Sequence, residues 1–386
     1  MRKVLLGFII LFLVFAGFYI FVYNLFPLSK SFSSEDKTGS LILLATGDIM
    51  VHERQLQSAY RPDKGHYCFD EWFTQIKPYL QEGDLVVGNL ETTLAGEEMK
   101  YTGYPLFNSP ESLAGSLKEA GFDILTTANN HCLDRGEDGV RRTIEHIEKA
   151  GLNFSGTARS RKERDNFYSV NINGVRIIFI AYTFGTNGIA LSEGKEYMVN
   201  ILEENQIRND IKRASDTADL VVVSLHWGQE YNRDPHPSQQ KLAEDIIFWG
   251  ADLILGSHPH VLQPVEFIRT DSGREGVVVY SLGNFISNQT LPFTDSGIIV
   301  RLHYTKDKEQ VVLNEITCIP TWVHRFYLEG RPAYRVLPVA DALYLFENNQ
   351  DDDLNADDYL RMKEVWEETT GHIWLTPYIK KERWIK

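Results

Sequence analysis

The chain has 386 residues, of which 43% are hydrophobic and 24% are charged, and these values are typical of a globular protein. This length is sufficient for one large domain or two ordinary domains. The formal net charge of -14 argues against binding to nucleic acids, whose partners usually concentrate basic charge. The three cysteines, Cys68, Cys132 and Cys318, form no paired framework, so we expect no disulfide scaffold.

The N-terminus has the features of a membrane anchor. Arg2 and Lys3 precede a nearly unbroken apolar run at residues 4–26, which is close to the roughly 20 residues that a bilayer core requires. A cleaved signal peptide would have a shorter apolar region and a small-residue cleavage site. The positive charges place the N-terminus inside the cell. We therefore predict a single-pass cell-membrane protein, with its anchor at residues 1–27, a linker at residues 28–40 and the bulk of the chain extracytoplasmic.

Buried-strand patterns alternate with helical patterns in the first part of the chain. The strand patterns lie at residues 41–46, 84–88, 122–127, 219–225, 251–255 and 276–282. Later strand patterns follow one another directly, and the Asn173-Gly174 pair predicts a hairpin turn. This order predicts an α/β sandwich of mixed sheets. The pattern weakens after Ile319, so we assign residues 41–320 to one domain and residues 321–386 to a C-terminal extension packed on it.

Two histidines follow one of these strand patterns in the segment Gly256-Ser257-His258-Pro259-His260. In an extended segment, residues two apart share a face, so both imidazoles can approach one point. Pro259 fixes its own φ angle and disfavours helix at His258, so we expect a stiff pair. Converging neutral imidazoles are suited to metal binding, although two surface histidines on a loop would give the same pattern.

Other residues with polar or metal-binding side chains follow other predicted strands. They are Asp48, Asn89, Glu91, Asn130, His131, His226 and Asn284. Ligands of open α/β sheets gather at the carboxyl ends of strands, whereas a single such residue is usually a cap or turn residue. Their recurrence at several strand ends predicts a metal site. Oxygen and imidazole donors without thiolates suit zinc, manganese or iron, and a set of this size favours two bridged ions and hydrolysis.

The ordered motifs resemble those of the bacterial CapA family of poly-γ-glutamate capsule-biosynthesis proteins, which is similar to the calcineurin-like metallophosphoesterases. The motifs are Gly47-Asp48, Gly88-Asn89-Leu90-Glu91, Asn130-His131, His226-Trp227-Gly228, Gly256-Ser257-His258-Pro259-His260 and Ser281-Leu282-Gly283-Asn284-Phe285. The resemblance covers residues 41–320. It implies a four-layer αββα sandwich of mixed sheets with a site for two divalent transition-metal ions.

The resemblance also implies a role for each residue of the site. The metal ligands would be Asp48 and His260 for one ion, Asn130, His226 and His258 for the other, and Glu91 as the bridge. His131 would remain unbound and protonate the leaving oxygen. Hydrolysis requires such a proton donor in addition to a nucleophile.

The motifs depart from the phosphoesterase pattern at three places. Met50 stands where a histidine is expected, and a histidine, His52, lies two residues further on. Glu91 is offered from a Gly-Asn-Leu-Glu turn where Gly-Asp-x-x-Asp is expected, and Cys132 follows His131 where an acid is expected. Candidate contacts to metal or substrate are therefore His52, Asn89 and Asn284. Local turn bonding would explain the two asparagines equally well.

Three functions are consistent with these features. The first is a membrane-anchored, CapA-like protein in capsule synthesis, export or attachment, with a metal-dependent hydrolase-type site and polyglutamate synthase membrane subunits as candidate partners. The second is a surface metallophosphoesterase that acts on another phosphoester. The third is a non-catalytic scaffold of a capsule synthase complex. Metal content distinguishes the third function from the others, and hydrolysis of a generic phosphoester distinguishes the second from the first.

Overall fold

The computed structural model describes residues 39–307 and 310–373, which form a mixed α/β fold. The strands are β1 (Ser40–Ile49), β2 (Tyr60–Arg61), β3 (His66–Tyr67), β4 (Leu85–Leu90), β5 (Ile124–Thr126), β6 (Asn153–Ser155), β7 (Tyr168–Ile172), β8 (Val175–Thr183), β9 (Leu220–His226), β10 (Leu253–Ser257), β11 (Leu262–Arg269), β12 (Glu275–Leu282), β13 (Asn284–Ile286), β14 (Ser296–Asp307), β15 (Gln310–Leu328) and β16 (Arg331–Pro338). The helices are α1 (Glu53–Ala59), α2 (Asp70–Phe73), α3 (Lys77–Leu80), α4 (Ser112–Ala120), α5 (Gly136–Lys149), α6 (Arg161–Asp165), α7 (Glu204–Ser215), α8 (Pro237–Trp249), α9 (Val339–Glu347) and α10 (Ala356–Thr370). Short 3₁₀ helices lie at Glu97–Met99 and Glu196–Met198.

The predicted membrane anchor at residues 1–27 lies outside the described residues. Within residues 39–307 and 310–373, none of the helices combines the length and the apolar character that a membrane span requires.

The first sheet has the strand order β16-β15-β14-β1-β4-β5-β6, and β13 also pairs with β1. Strands β1, β4, β5 and β6 are parallel, whereas β14, β15 and β16 extend the sheet in antiparallel fashion. Parallel neighbours need crossover connections, and helices such as α4 and α5 provide them. The strands that alternate with helices early in the sequence therefore form the parallel half of this sheet.

The second sheet has the strand order β11-β12-β10-β9-β8-β7. Its four central strands are parallel, and the antiparallel strands β11 and β7 form its edges. The hairpin between β7 and β8 turns at Asn173 and Gly174, whose φ angles are 52° and 86°. Positive φ at both residues is the geometry that an Asn-Gly hairpin turn requires, so the predicted turn is confirmed.

The main hydrophobic core lies between the two sheets. Leu41, Leu43 and Ala45 of β1 pack in the same buried cluster as Ile177 and Val222 of the second sheet. Other side chains of the sheets belong to two outer clusters, one shared with α1, α2 and α4 and one shared with α7 and α8. Because both faces of the central strands are covered, their sequences are continuous apolar runs rather than alternating patterns.

Two glycines allow strands to approach closely next to the predicted site. A Cβ atom on Gly47 would lie 1.9 Å from the carbonyl oxygen of Gly283, and one on Gly256 would lie 1.9 Å from that of Tyr280. Both distances are far below van der Waals contact, so a larger residue at either position would force the backbones apart. The glycines that precede Asp48 and Ser257 therefore have a packing role.

The C-terminal part continues the first sheet. Strand β15 runs without interruption across residue 320, and β16 pairs with it along its outer edge. Helices α9 and α10 pack against these strands in a separate hydrophobic cluster. Residues 320–324 are all buried, but they include the polar residues Thr321 and His324, so this part of β15 is not a continuous apolar run in the sequence.

His324 of β15 is a buried neutral histidine at this end of the fold. Its ring stacks between Trp322 and Phe326, and its Nδ1 atom accepts a hydrogen bond of 2.9 Å from Arg335 Nε. Burial, together with the Arg335 charge, lowers the pKa of His324 from 6.5 to about 3. The folded protein therefore binds this proton only at much lower pH than the unfolded chain does.

This difference predicts how stability depends on pH. Between pH 6.5 and about 3, His324 is protonated in the unfolded chain but not in the folded protein. The free energy of unfolding therefore decreases as the pH falls through this range. We expect His324→Gln to flatten the decrease in unfolding free energy between pH 7 and 4, as measured by urea denaturation in the presence of a chelator. His66→Gln, at an exposed position, is the control, and equal slopes in wild type and His324→Gln would contradict the prediction.

Candidate metal centre

The predicted site residues meet where the carboxyl ends of the parallel strands of both sheets come together. They are Asp48 on β1, Asn89 on β4 and Glu91 just after it, Asn130 and His131 in the turn after β5, His226 at the end of β9, His258 and His260 just after β10, and Asn284 at the start of β13. All of these side chains are buried. The chain therefore brings together residues that are separated by more than two hundred positions in the sequence.

Two overlapping groups of side chains have the spacing of a metal site. Glu91, His258 and His260 form one group, and Asp48, Glu91 and His226 form the other, with ligand atoms within 4.8 Å of one another. Glu91 belongs to both groups, which is the position predicted for a bridging ligand. The groups differ from the predicted ligand sets, which paired Asp48 with His260 and His226 with His258.

The predicted pairs are nevertheless neighbours. Asp48 Oδ2 lies 3.0 Å from His260 Nδ1, and Asn130 Oδ1 lies 2.9 Å from His226 Nε2. The rings of His226 and His258 are also close, with their centroids 4.8 Å apart. The geometry therefore permits either distribution of these ligands between two ions.

Two buried atoms in the cluster have no hydrogen-bond partner among the described residues: Glu91 Oε1 and His258 Nδ1. Glu91 Oε1 faces two imidazole nitrogens, His226 Nε2 at 3.5 Å and His260 Nε2 at 3.7 Å. Leaving such acceptors buried and unpaired is costly, and a cation bound between them would remove the cost. The oxygen and nitrogen donors fit a divalent transition-metal ion.

The protonation states of the cluster residues also fit a bound divalent metal ion. Burial lowers the pKa of His258 to about 3 and holds that of His226 well below its usual value, so both imidazoles are neutral, as metal ligands must be. Burial and the neighbouring Asp48 raise the pKa of Glu91 well above its usual value. The other groups that raise it, Glu230 and Asp134, are also acidic. Divalent cations would compensate this concentration of carboxylates.

The backbone of the histidine pair is not extended, and the prediction that it would be was wrong. Strand β10 ends at Ser257, and His258 and His260 have positive φ angles of 97° and 59°. Their ring centroids lie 5.9 Å apart, so the imidazoles converge through a strained bend rather than a strand. Left-handed conformations at residues other than glycine cost energy and concentrate at functional sites.

The predicted proton donor, His131, has a carboxylate partner that the sequence analysis missed. His131 Nδ1 lies 2.7 Å from Asp134 Oδ2, and both side chains are buried. Asp134 Oδ2 also accepts a hydrogen bond of 2.6 Å from the backbone N–H of Phe107. An acid was expected at the position of Cys132, and Asp134 supplies it two residues later. Asp134 lies three residues after His131 in the sequence, and this spacing could have indicated the contact.

Further side chains orient the predicted ligands. Ser257 Oγ lies 2.9 Å from His226 Nδ1, so it can fix that ring with Nε2 towards the centre of the cluster. Asn130 Nδ2 donates a hydrogen bond of 3.3 Å to Asn187 Oδ1, which leaves Asn130 Oδ1 directed at His226. Ser257 lies within the histidine motif and could have been recognised. Asn187 lies in a loop with no local signal.

His52, the candidate replacement for the histidine absent at Met50, belongs to neither group. Its Nδ1 atom lies 3.2 Å from Gln55 Oε1 and 3.3 Å from the backbone nitrogen of Asn288, and it caps α1. Burial lowers its pKa to about 4. Met50 itself is buried. The geometry therefore gives His52 a local capping role, and its role as a ligand stays a prediction.

Asn284 contacts the cluster directly. Its Oδ1 atom lies 3.2 Å from His260 Nδ1, while its Nδ2 atom donates hydrogen bonds of 2.8 Å to Gln289 Oε1 and to the carbonyl oxygen of Thr294. These two donor contacts fix the amide, so its oxygen faces His260. Asn284 is thus placed to orient this histidine.

Two partly exposed aromatic rings border the cluster. Phe184 is 46% exposed, and its ring centroid lies 4.5 Å from that of His258. Tyr231 is 40% exposed and its ring centroid lies 6.2 Å from that of His260. The cluster is therefore bordered by aromatic surface that solvent can reach.

Comparisons with known proteins identify the family. Residues 42–289 match the family described as bacterial capsule synthesis protein PGA_cap, and the chain belongs to this family. The CapA-type resemblance of the ordered motifs is thereby confirmed.

Two relatives illustrate the similarity. The chain is 33% identical over 288 residues to the capsule biosynthesis protein CapA of Bacillus anthracis, an alignment that covers 72% of this chain and 66% of that protein. It is 32% identical over 286 residues to the PGA biosynthesis protein CapA of Bacillus subtilis strain 168, and this alignment covers 73% of this chain and 71% of that protein. The matched region thus spans about two thirds of the length of these relatives.

The chain is also similar to solved structures from Thermus thermophilus and Bacillus subtilis. One is the 5'-nucleotidase precursor from Thermus thermophilus, with a TM-score of 0.42 and 13% identity, covering 86% of this chain and 58% of that chain. The other is the calcineurin-like phosphoesterase YfkN from Bacillus subtilis, with a TM-score of 0.40 and 14% identity. This match covers 86% of this chain and 98% of that chain.

Proposed function

We propose that this protein acts in the synthesis, export or attachment of a poly-γ-glutamate capsule, as a membrane-anchored extracytoplasmic protein with a two-metal hydrolase-type site in a four-layer αββα sandwich. Membership of the capsule synthesis family and the names of the two CapA relatives support the biological role. The apolar run at residues 4–26 supports the anchor. Polyglutamate synthase membrane subunits are the proposed partners.

The observation that carries the hydrolase part of the proposal is the pair of donor groups that share Glu91. The residues that would hold manganese, zinc or iron are Asp48, Glu91, Asn130, His226, His258 and His260. When bound, such ions would polarise the bond to be cleaved and lower the pKa of water at the site. The unpaired Glu91 Oε1 and His258 Nδ1 atoms are the donors that a metal would satisfy.

The remaining chemistry falls to residues beside the ligands. His131 would deliver a proton to the leaving oxygen, because an alkoxide or similar group leaves poorly without one. Asp134, 2.7 Å from His131 Nδ1, would hold the ring with Nε2 free for that transfer.

Capsule production tests the proposed function. The full-length protein would be expressed in a capsule-forming bacterium that lacks its own CapA-type protein, and surface poly-γ-glutamate would be measured. We expect the wild-type protein to restore the capsule and Glu91→Gln, which removes the shared ligand charge, to fail at an equal protein level. The control is His66→Ala, at an exposed position away from the cluster.

Other outcomes identify the competing functions. Restoration by Glu91→Gln at the wild-type level would contradict a catalytic role and indicate a scaffold. Failure of the wild-type protein to restore the capsule, together with metal-dependent hydrolysis of a generic phosphoester by the purified protein, would indicate a surface metallophosphoesterase that acts on another substrate.

A further inference from the structure

We propose that Asn89 is a positioning residue of the metal centre, whose amide orients the carboxylates of Asp48 and Glu91 and does not itself bind metal. This inference rests on the proposed function, because it presupposes that the cluster holds metal. It replaces the broader expectation that Asn89 contacts metal or substrate.

The first observation is how the amide nitrogen divides the oxygens of the two carboxylates. Asn89 Nδ2 lies 2.8 Å from Asp48 Oδ1 and 3.4 Å from Glu91 Oε2. The other oxygen of each carboxylate faces imidazoles, since Asp48 Oδ2 is 3.0 Å from His260 Nδ1 and Glu91 Oε1 is 3.5 Å from His226 Nε2. One amide group thus holds one oxygen of each carboxylate and leaves the second oxygen available to a metal.

The second observation fixes which way the amide faces. Asn89 Oδ1 accepts hydrogen bonds from Thr126 Oγ1 at 3.3 Å and Asn129 Nδ2 at 3.4 Å. Exchanging the oxygen and nitrogen of Asn89 would place an amide oxygen 2.8 Å from a carboxylate oxygen of Asp48, which is repulsive. It would also bring two NH₂ groups together at Asn129. The assignment is therefore determined by the hydrogen-bond network.

Asn129 is held in turn by its own contacts. Its Nδ2 atom donates a hydrogen bond of 2.7 Å to the carbonyl oxygen of Leu90, and its Oδ1 atom accepts one of 3.1 Å from the backbone N–H of His131. The network therefore links the turn that carries His131 to the carboxylates through Asn89.

This orientation excludes Asn89 as a ligand. The amide oxygen is the atom through which asparagine binds metals, and here it points away from Asp48 and Glu91 towards two donors. The amide nitrogen instead faces Asp48 Oδ1 at 2.8 Å, with Glu91 Oε2 and His226 Nδ1 both at 3.4 Å. Partners that orient ligands in this way typically contribute about 10- to 100-fold to metal affinity.

The test is metal affinity in the full-length protein. Wild type and variants would be purified in detergent, stripped of metal with a chelator and titrated with Mn²⁺ by calorimetry. We expect Asn89→Ala to bind Mn²⁺ about 10- to 100-fold more weakly with unchanged stoichiometry. Thr126→Val, which keeps the side-chain shape but removes a donor to Asn89 Oδ1, should weaken binding by a smaller factor.

Asn200→Ala is the matched control, because Asn200 is also a buried asparagine but donates to the carbonyl oxygen of Ala181, outside the cluster. It should lower the melting temperature without changing Mn²⁺ affinity. Unchanged affinity in Asn89→Ala would overturn the positioning role alone. Loss of one bound ion in Asn89→Ala with tighter binding in Thr126→Val would show that Asn89 Oδ1 is a ligand. Absence of Mn²⁺ binding by wild type would overturn the metal centre and this inference together.

Discussion

The double variant His258→Ala/His260→Ala is expected to bind at most one of the two metal ions that are proposed for the wild-type protein. The reason is that one donor group, formed by these two histidines and Glu91, loses two of its three residues. Loss of a single orienting partner already costs about 10- to 100-fold in metal affinity, so loss of two ligands should exceed that range. Elemental mass spectrometry of the purified full-length protein measures the metal directly.

A matched control separates this effect from a general loss of histidines. His66 and His236 are both exposed and lie outside the donor groups, so His66→Ala/His236→Ala should retain all of the metal. Equal metal content in wild type and His258→Ala/His260→Ala would contradict the metal centre. Loss of metal without any change in capsule production would show that the ions do not serve the proposed function.

For the alternative function as a metallophosphoesterase, His131→Gln is expected to lower kcat for phosphoester hydrolysis by about 100- to 10,000-fold, which is the usual contribution of a general acid. Metal content should not change, because His131 is in neither donor group. Asp134→Asn should cause a smaller loss through His131, since it weakens the 2.7 Å contact that orients the ring. Rates measured with a series of leaving groups test the role.

The leaving group distinguishes a proton donor from a merely structural residue. A leaving group of low pKa, such as p-nitrophenol, departs without a proton, so the loss in His131→Gln should shrink for that substrate. An alkyl phosphoester, whose leaving group needs the proton, should show the full loss. Equal losses for both substrates would contradict a proton-donor role, and the wild-type protein provides the reference ratio.

The sequence predicted that the candidate site residues are neighbours, and the reason is a property of parallel sheets. Polar residues such as Asp48, Glu91 and His226 each follow a buried apolar run, and parallel strands bring their carboxyl ends to one edge. Local pattern and sheet geometry together were therefore sufficient to predict that these side chains are neighbours. The Asn173-Gly174 turn was equally predictable, because only its own backbone conformation was involved.

Predictions that depended on backbone detail or on distant contacts were less successful. The histidine pair was expected to be extended, but His258 and His260, which follow β10, both have positive φ angles. The motif pattern placed an acid directly after His131, whereas the carboxylate that contacts this histidine belongs to Asp134, three residues after it. The contact of Asn130 with Asn187 joins two separate loops, and no local pattern indicates it.

The sequence by itself determined the family, the mixed α/β fold and the set of side chains at the candidate metal centre. These features follow from residue order, strand patterns and motifs, all of which are local. Tertiary structure alone decided which oxygen of each carboxylate faces the imidazoles, through Asn89, and which carboxylate supports His131, through Asp134. Such choices depend on distances of about 3 Å between groups far apart in the chain, and only packing of the two sheets sets those distances.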